Sequence, residues 1–377
     1  MTEPKKLRVL HLHSGNMLGG VESVLLTFSE FATVCPDFEQ EFALAFEEPF
    51  AKQLRATAAT VHILPEAQLR NPLSVRRSRH ALRELLHNRQ FHCVISHSPW
   101  CQVVFALAVR RSDVPLIFWM HNNFDGHWLQ RLAARHPPDL AICNSAFTRS
   151  TLHDVYPATP SCIVHNPVRP LRSDPGARDS RRRELNARPN SVVILMASRM
   201  EAWKGHDNLI QAAARIDTTS DWVIWIAGAP QTPKELSYFE NLSNEVRHLQ
   251  LTERIRFLGY RDDVPALMRA ADIYCQPNAD PEPFGVVFVE ALQAGVPVVT
   301  FEMGGSREIL TESTGILVPP GDIAGLARAL VRLIDDAGLR SRLGGDGPAR
   351  ARELCDPAQQ IRRVHEVLWE RLQQMTR

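Results

Sequence analysis

Apolar residues in the first half of the chain come in short runs, separated by mixed stretches long enough for helices. The runs at 7–12, 41–45, 60–64, 91–96, 115–120, 139–144 and 161–165 predict strands. Between them, 21–33, 74–87 and 102–111 carry apolar residues at helical spacing. Alternation of this kind predicts a parallel sheet with helices on both faces. A polar stretch, 169–190, then interrupts the pattern, and its seven basic residues against three acidic ones read as a solvated linker. The alternation restarts with strands expected at 191–197, 222–228, 254–258, 273–276 and 297–301, and helices at 207–214, 234–249 and 285–294.

The pattern therefore predicts an α/β protein of two doubly wound units, 1–168 and 191–356. A cleft is expected between them, with ligands at the carboxyl ends of the strands. Ile361, Val364, Leu368, Leu372 and Met375 form one apolar stripe in a terminal helix over about 357–377, which is expected to pack back on the first unit.

Composition narrows the classes. Lys and Arg total 43 against 42 Asp and Glu, a formal charge of +1, which argues against a nucleic-acid binder. No apolar run approaches the ~18 residues of a membrane span, and His11 and His13 break the only N-terminal run resembling a leader. Seven cysteines, an odd number without a CxxC pair, point to free thiols in a reducing cytoplasm. Only five of the 43 cations are lysine, so the position of each lysine carries information.

Four stretches hold candidate chemistry. In the first, a strand leads to Glu282, then Phe284, Gly285 and Val286 at a helix start, with Glu290 eight residues after Glu282. Free N–H groups at a helix start hold anions or sugar oxygens, and each carboxylate accepts two hydroxyl hydrogen bonds. An unpaired Glu290 among Val289, Ala291 and Leu292 would be costly. In the second stretch, Arg199 and Lys204 follow a strand, beside Gly205; together they suit a diphosphate. The third is the glycine loop 14–22, with Gly19 and Gly20 before a helix, whose spacing is not that of a dinucleotide fingerprint. The fourth places His121 and Asn122 at a strand end, with His13, His97, Trp100 and Trp128 in comparable first-half loops. Any one of these aromatic and histidine side chains also fits a plain packing role.

Taken together, these stretches resemble the retaining GT-B glycosyltransferases of family 4 (glycosyl transferases group 1). The resemblance rests on Glu282 and Glu290 with Phe284-Gly285 between them, Arg199 with Lys204-Gly205, Gly19-Gly20-Val21-Glu22, and His121. It extends to Gly259-Tyr260, Gly304-Gly305 and the segment 315–321. It implies two facing Rossmann-like domains and transfer of a hexose or related sugar from a UDP- or GDP-linked donor. The implied acceptor is a hydroxyl of a saccharide, a lipid-linked saccharide or a small molecule. By the resemblance, Arg199 and Lys204 hold the diphosphate, Glu290 the ribose, and Glu282 with the backbone of 284–286 the donor sugar. Tyr260 and Arg261 lie near the base, and His121 and Gly20 near the reacting carbon. His13, Gly19, His97, Trp100 and Asn122 are acceptor-side candidates. No Asp-x-Asp occurs, which fits transfer without a metal or other cofactor.

Two other classes compete. One is a non-catalytic nucleotide-sugar-binding scaffold, since fold does not imply function. The other is a retaining glycoside hydrolase, which needs two carboxyls about 5–5.5 Å apart across one bond. A turn Glu282 and a helical Glu290 suit that poorly. The arginine-rich stretch 70–89 reads first as a surface helix of the first sheet, and second as a peripheral contact with anionic lipid.

Overall fold

The seven strands of the first half pair into one sheet: β1 (Leu7–His13), β2 (Phe38–Leu44), β3 (Thr60–Ile63), β4 (Cys93–Ser96), β5 (Leu116–Met120), β6 (Leu140–Cys143) and β7 (Ser161–Ile163). The structure is a computed structural model that describes residues 6–15, 19–47, 49–124, 126–172, 174 and 176–376. Two units emerge, one of Met1–Arg169 with Cys355–Arg377 and one of Pro170–Leu354.

In the first unit the strand order is β3-β2-β1-β4-β5-β6-β7, every pair parallel. The chain winds outward from β1 to β3 and re-enters beside β1 with β4. The topological switch, where such sheets bind ligands, therefore lies between the carboxyl ends of β1 and β4. Helices cover both faces, so the central strands are buried throughout and read as near-continuous apolar runs. The helix Pro72–Arg89 is capped by Asn71, whose side chain accepts from the Ser74 N–H at 3.3 Å. Leu82 and Leu86 are buried in the core, while Arg76, Arg77 and Arg83 face outward. A helix at Phe50–Ala56 was not signalled by the pattern.

The terminal helix Pro357–Thr376 belongs to this first unit. Ile361, Val364 and Leu368 are fully buried against Leu7, Val9, Phe28 and Trp119. Burial of each such side chain contributes about 2 kcal/mol. Met375, expected on the same stripe, is 42% exposed near the helix end.

The second unit carries β8 (Val192–Ala197), β9 (Trp222–Ala227), β10 (Ile255–Gly259), β11 (Ile273–Cys275), β12 (Val298–Phe301) and β13 (Gly315–Val318), in the order β10-β9-β8-β11-β12-β13 and again parallel. Its switch lies between β8 and β11. Neither β13 nor the helix Ile323–Asp335 was expected from periodicity, although Leu326, Leu330 and Leu333 are buried at helical spacing.

The arginine-rich stretch is not a solvated linker, and this corrects the expectation for 169–190. Residues Ala177–Glu184 form a helix of the second unit. Arg182 is 8% exposed; it donates to Ala270 O and Ser191 O at 3.0 Å each and pairs with Asp272. Arg178 meets the other Asp272 oxygen at 2.6 Å. Arg178 and Arg182 are taken up by a carboxylate and backbone carbonyls, while Arg183 and Arg188 stay exposed. All seven cysteines are free, five of them buried. Among the described residues no helix is long and apolar enough to cross a membrane.

Candidate functional site

In the second unit, the loops after β8 and β11 meet at the switch. Gly205 has φ +78°, and a Cβ there would lie 1.8 Å from Pro277 O, so only glycine lets the two loops touch. Asn208 Nδ2 donates to the same Pro277 oxygen at 3.0 Å, and Ala279 N donates to Trp203 O at 2.8 Å. These contacts deliver Lys204 Nζ to 2.8 Å from Glu282 Oε2 and to 3.7 Å from the centre of the Trp203 ring.

Glu282 is held by groups the sequence did not single out. Asn278 Nδ2 donates to Glu282 Oε2 at 2.9 Å, and Gln276 Nε2 lies 3.5 Å from that oxygen. Gln276 also donates to Asn278 Oδ1 at 2.8 Å and accepts from the Tyr274 hydroxyl at 2.8 Å. Gln276, Asn278 and Tyr274 are all buried, so the file is a fixed polar core beneath the carboxylate. Burial raises the pKa of the Tyr274 phenol well above its ordinary value, with Glu290 and Glu282 adding to the effect.

From above, Gly304 and Gly305 clamp the same turn. Gly305 N donates to Glu282 O at 2.7 Å, and a Cβ at Gly304 would fall 2.3 Å from that oxygen. Phe284 is buried at 2% exposure, and Gly285, at φ +106°, starts the helix Val286–Gln293 without any side-chain cap. The N-cap glycine thus offers its first N–H groups no side-chain acceptor. Glu290 sits in that helix, partly buried.

Arg199 is 35% exposed; its Nη2 lies 3.1 Å from Glu235 and 3.3 Å from Glu201. Glu235 is fixed in turn, accepting from Gln231 N at 2.6 Å. Each cation expected to meet a diphosphate is therefore paired with carboxylates of its own unit. Arg261, expected near a base, forms a two-point pair with Asp263, at 2.7 Å for each bond, and reaches Glu184 at 2.9 Å. Tyr260 beside it is 73% exposed.

The first unit gathers imidazoles at its own switch. His13 ends β1, His97 follows β4 and His121 follows β5. Gly15 N donates to His13 Nδ1 at 3.1 Å, so the neutral ring carries its proton on Nε2, which faces Glu22 at 3.5 Å. His11, not singled out from sequence, lies 2.9 Å from His97. Burial lowers the pKa of His11 and His13 to about 4 and of His121 to about 3. Gly19 precedes the helix Gly20–Glu30, and a Cβ at Gly20 would meet no atom within 4 Å. Residues 16–18 of that glycine loop lie outside the described residues. Asn122 is exposed, Trp128 is 59% exposed, and Trp100 packs on Phe46 and Phe105.

Two parallel doubly wound sheets, each with polar loops at its switch, define a chain of Rossmann-like units. The family model for Glycosyltransferase Family 4 matches residues 18–172, and that for Glycosyl transferases group 1 matches residues 177–350. The chain belongs to this glycosyltransferase family, whose GT-B fold it shares. It is 46% identical over 123 residues to a phosphatidyl-myo-inositol mannosyltransferase of Mycobacterium leprae, covering 31% of this chain and 33% of that protein. It is 32% identical over 232 residues to a D-inositol 3-phosphate glycosyltransferase of Salinispora tropica, covering 57% and 48%. The chain thus spans between a third and a half of these relatives' lengths. Anabaena HepE, solved with UDP and glucose, superposes with a TM-score of 0.84 over 96% of this chain and 99% of that one at 24% identity, a likeness of fold.

Proposed function

We propose that the protein transfers a glycosyl group from a nucleotide-diphosphate sugar to a hydroxyl acceptor, with retention at the anomeric carbon and without a metal. One observation carries the reading. At the switch of the second sheet, Lys204 meets Glu282 at 2.8 Å in the turn before a helix start that has no side-chain cap, and Arg199 lies in the same loop as Lys204. A diphosphate would take the two cations and release Lys204 from Glu282, leaving that carboxylate for sugar hydroxyls. In the step itself the bond from the anomeric carbon to the phosphate oxygen breaks, and the nucleoside diphosphate leaves with the electron pair. The acceptor oxygen bonds to the same face, and its proton passes to the departing phosphate.

The relatives' names bear on the donor. A Corynebacterium glutamicum protein, 30% identical over 186 residues, is a GDP-mannose-dependent mannosyltransferase, whereas HepE was solved with UDP. Both bases therefore enter the test. Thermal shift with UDP, GDP and ADP should show stabilisation by one of them, lost in Glu290→Ala. A screen of UDP-, GDP- and ADP-sugars for nucleotide release should then find one donor turned over. Stabilisation without turnover, with or without acceptors, would leave the scaffold reading; no stabilisation by any nucleotide removes the proposal. The hydrolase reading loses ground because Glu282 faces a cation and two amides rather than a second carboxylate.

An acceptor carried on lipid is the class favoured by the outward face of Pro72–Arg89, which exposes Arg76, Arg77 and Arg83, with Leu73 72% exposed in its first turn. Co-sedimentation with anionic vesicles at two salt concentrations tests this, and no binding at low salt rejects it.

A further inference from the structure

Three imidazoles of the first unit stand in one hydrogen-bonded file. Gln40 Oε1 lies 3.1 Å from His11 Nε2, His11 Nδ1 lies 2.9 Å from His97 Nε2, and His97 Nδ1 lies 2.9 Å from His121 Nε2. The three rings are 0%, 2% and 7% exposed. His121 stacks on Trp119 with centroids 5.6 Å apart and planes 11° off parallel, which fixes its plane.

A proton count gives the file a direction. Burial depresses the pKa of all three histidines, so the rings are neutral near pH 7 and hold one N–H each. A carboxamide oxygen only accepts, so His11 Nε2–H donates to Gln40. His11 Nδ1 then accepts from His97 Nε2–H, and His97 Nδ1 accepts from His121 Nε2–H. One nitrogen remains: His121 Nδ1, a bare lone pair that is buried and has no hydrogen-bond partner among the described residues. Leaving such an acceptor unmet forfeits the hydrogen bond it would make in water, a cost that a ligand donor removes.

We propose that Gln40, His11 and His97 are positioning residues that lock His121 as the Nε2–H tautomer, so that its Nδ1 is a fixed acceptor completed by a hydroxyl-bearing ligand. Under the glycosyl-transfer reading the ligand group is a sugar hydroxyl; only that identity rests on the reading, and the tautomer does not. The file is no proton wire, because the amide at its far end neither takes up nor releases a proton. His121 thus orients a hydroxyl rather than exporting its proton.

The test is the two-bond proton–nitrogen spectrum of the full chain labelled at histidine with nitrogen-15, with peaks assigned by their loss in His121→Gln and His97→Gln. His121 Nδ1 should resonate as an unprotonated nitrogen and Nε2 as a protonated one. In Gln40→Leu, which removes the directing acceptor, both tautomers of His121 should appear. In that variant the turnover number for UDP-glucose or GDP-mannose hydrolysis, whichever the intact protein cleaves, should fall severalfold with little change in KM. Reversal of the Gln40 amide would place a proton on His121 Nδ1, and that signal in the unmodified chain overturns the proposal. An unchanged His121 spectrum in Gln40→Leu overturns it as well. If no donor of the UDP-, GDP- and ADP-sugar screen is cleaved while the tautomer stands as stated, the glycosyl-transfer reading fails and the positioning role holds.

Discussion

Gly205 and Gly20 separate two uses of a missing side chain. At Gly205 an added Cβ would strike the Pro277 carbonyl at 1.8 Å, with φ at +78°, whereas at Gly20 it would strike nothing. Gly205→Ala should therefore destabilise the second unit by about 3 kcal/mol in urea unfolding. Gly20→Ala should stay within ~0.5 kcal/mol of the parent and reveal itself only in donor turnover, if a ligand approaches there. Lys204→Arg is the finer probe. The ammonium fits between Glu282 Oε2 at 2.8 Å and the Trp203 ring at 3.7 Å, a place too tight for a planar guanidinium. Donor turnover should drop at least tenfold while the melting temperature barely moves; equal turnover would make Lys204 an ordinary surface cation. Lys204, Glu282 and Gly285 were legible because loop, glycine and charge stand next to one another in sequence. Glu235 and His11 were not, because each gains its role from a partner on another element or loop; Gln276 and Asn278 lie within six residues of Glu282 but are neutral amides with nothing in the local pattern to mark them.

At the scale of elements, the strands were read well and the polar helices badly. A strand buried on both faces announces itself as an apolar run, and all seven in the first unit were found within a few residues. The helix Ala177–Glu184 has almost no apolar face, so periodicity is blind to it, and Asp272, the group that anchors it, lies about 90 residues further on. Arg182→Ala should cost about 2–3 kcal/mol, because Asp272 Oδ2 and two backbone carbonyls lose a charged donor while Arg178 still holds Asp272 Oδ1. Arg181→Ala, whose side chain is 32% exposed and pairs with Glu184, should cost much less. Chemical denaturation of the two variants checks the contrast, and equal losses would mean that the helix is held by something other than Asp272.

For the whole molecule, buried histidines set the response to acid. Four deeply buried rings with lowered pKa lie in the first unit, His11, His13, His97 and His121, and one, His206, in the second. Unfolded histidine titrates near 6.5. Below that value the unfolded chain binds protons that the folded rings refuse, so their contribution is intact above about pH 6.5 and drains away as pH falls toward 4. Each ring can draw about 1.4 kcal/mol per pH unit in that window. Amide exchange, corrected for its intrinsic rate, should show β1, β4 and β5 losing protection at pH 5 relative to pH 7 while β8 and β11 keep most of theirs. Equal loss in both sheets would contradict this.

The terminal helix also has a consequence for biosynthesis. The strands of the first unit are made before the second unit, yet the Leu7, Val9, Phe28 and Trp119 side of their sheet is closed by residues made only after the whole of the second unit. At about 5–20 residues per second, making the intervening 185 residues of Pro170–Leu354 keeps that side open for about 9–37 seconds. The second unit, continuous in sequence, has all its parts in hand before then. Synthesis order and folding order are therefore inverted, and a nascent chain stopped short of residue 357 would present an apolar sheet face to chaperones and proteases rather than a finished domain.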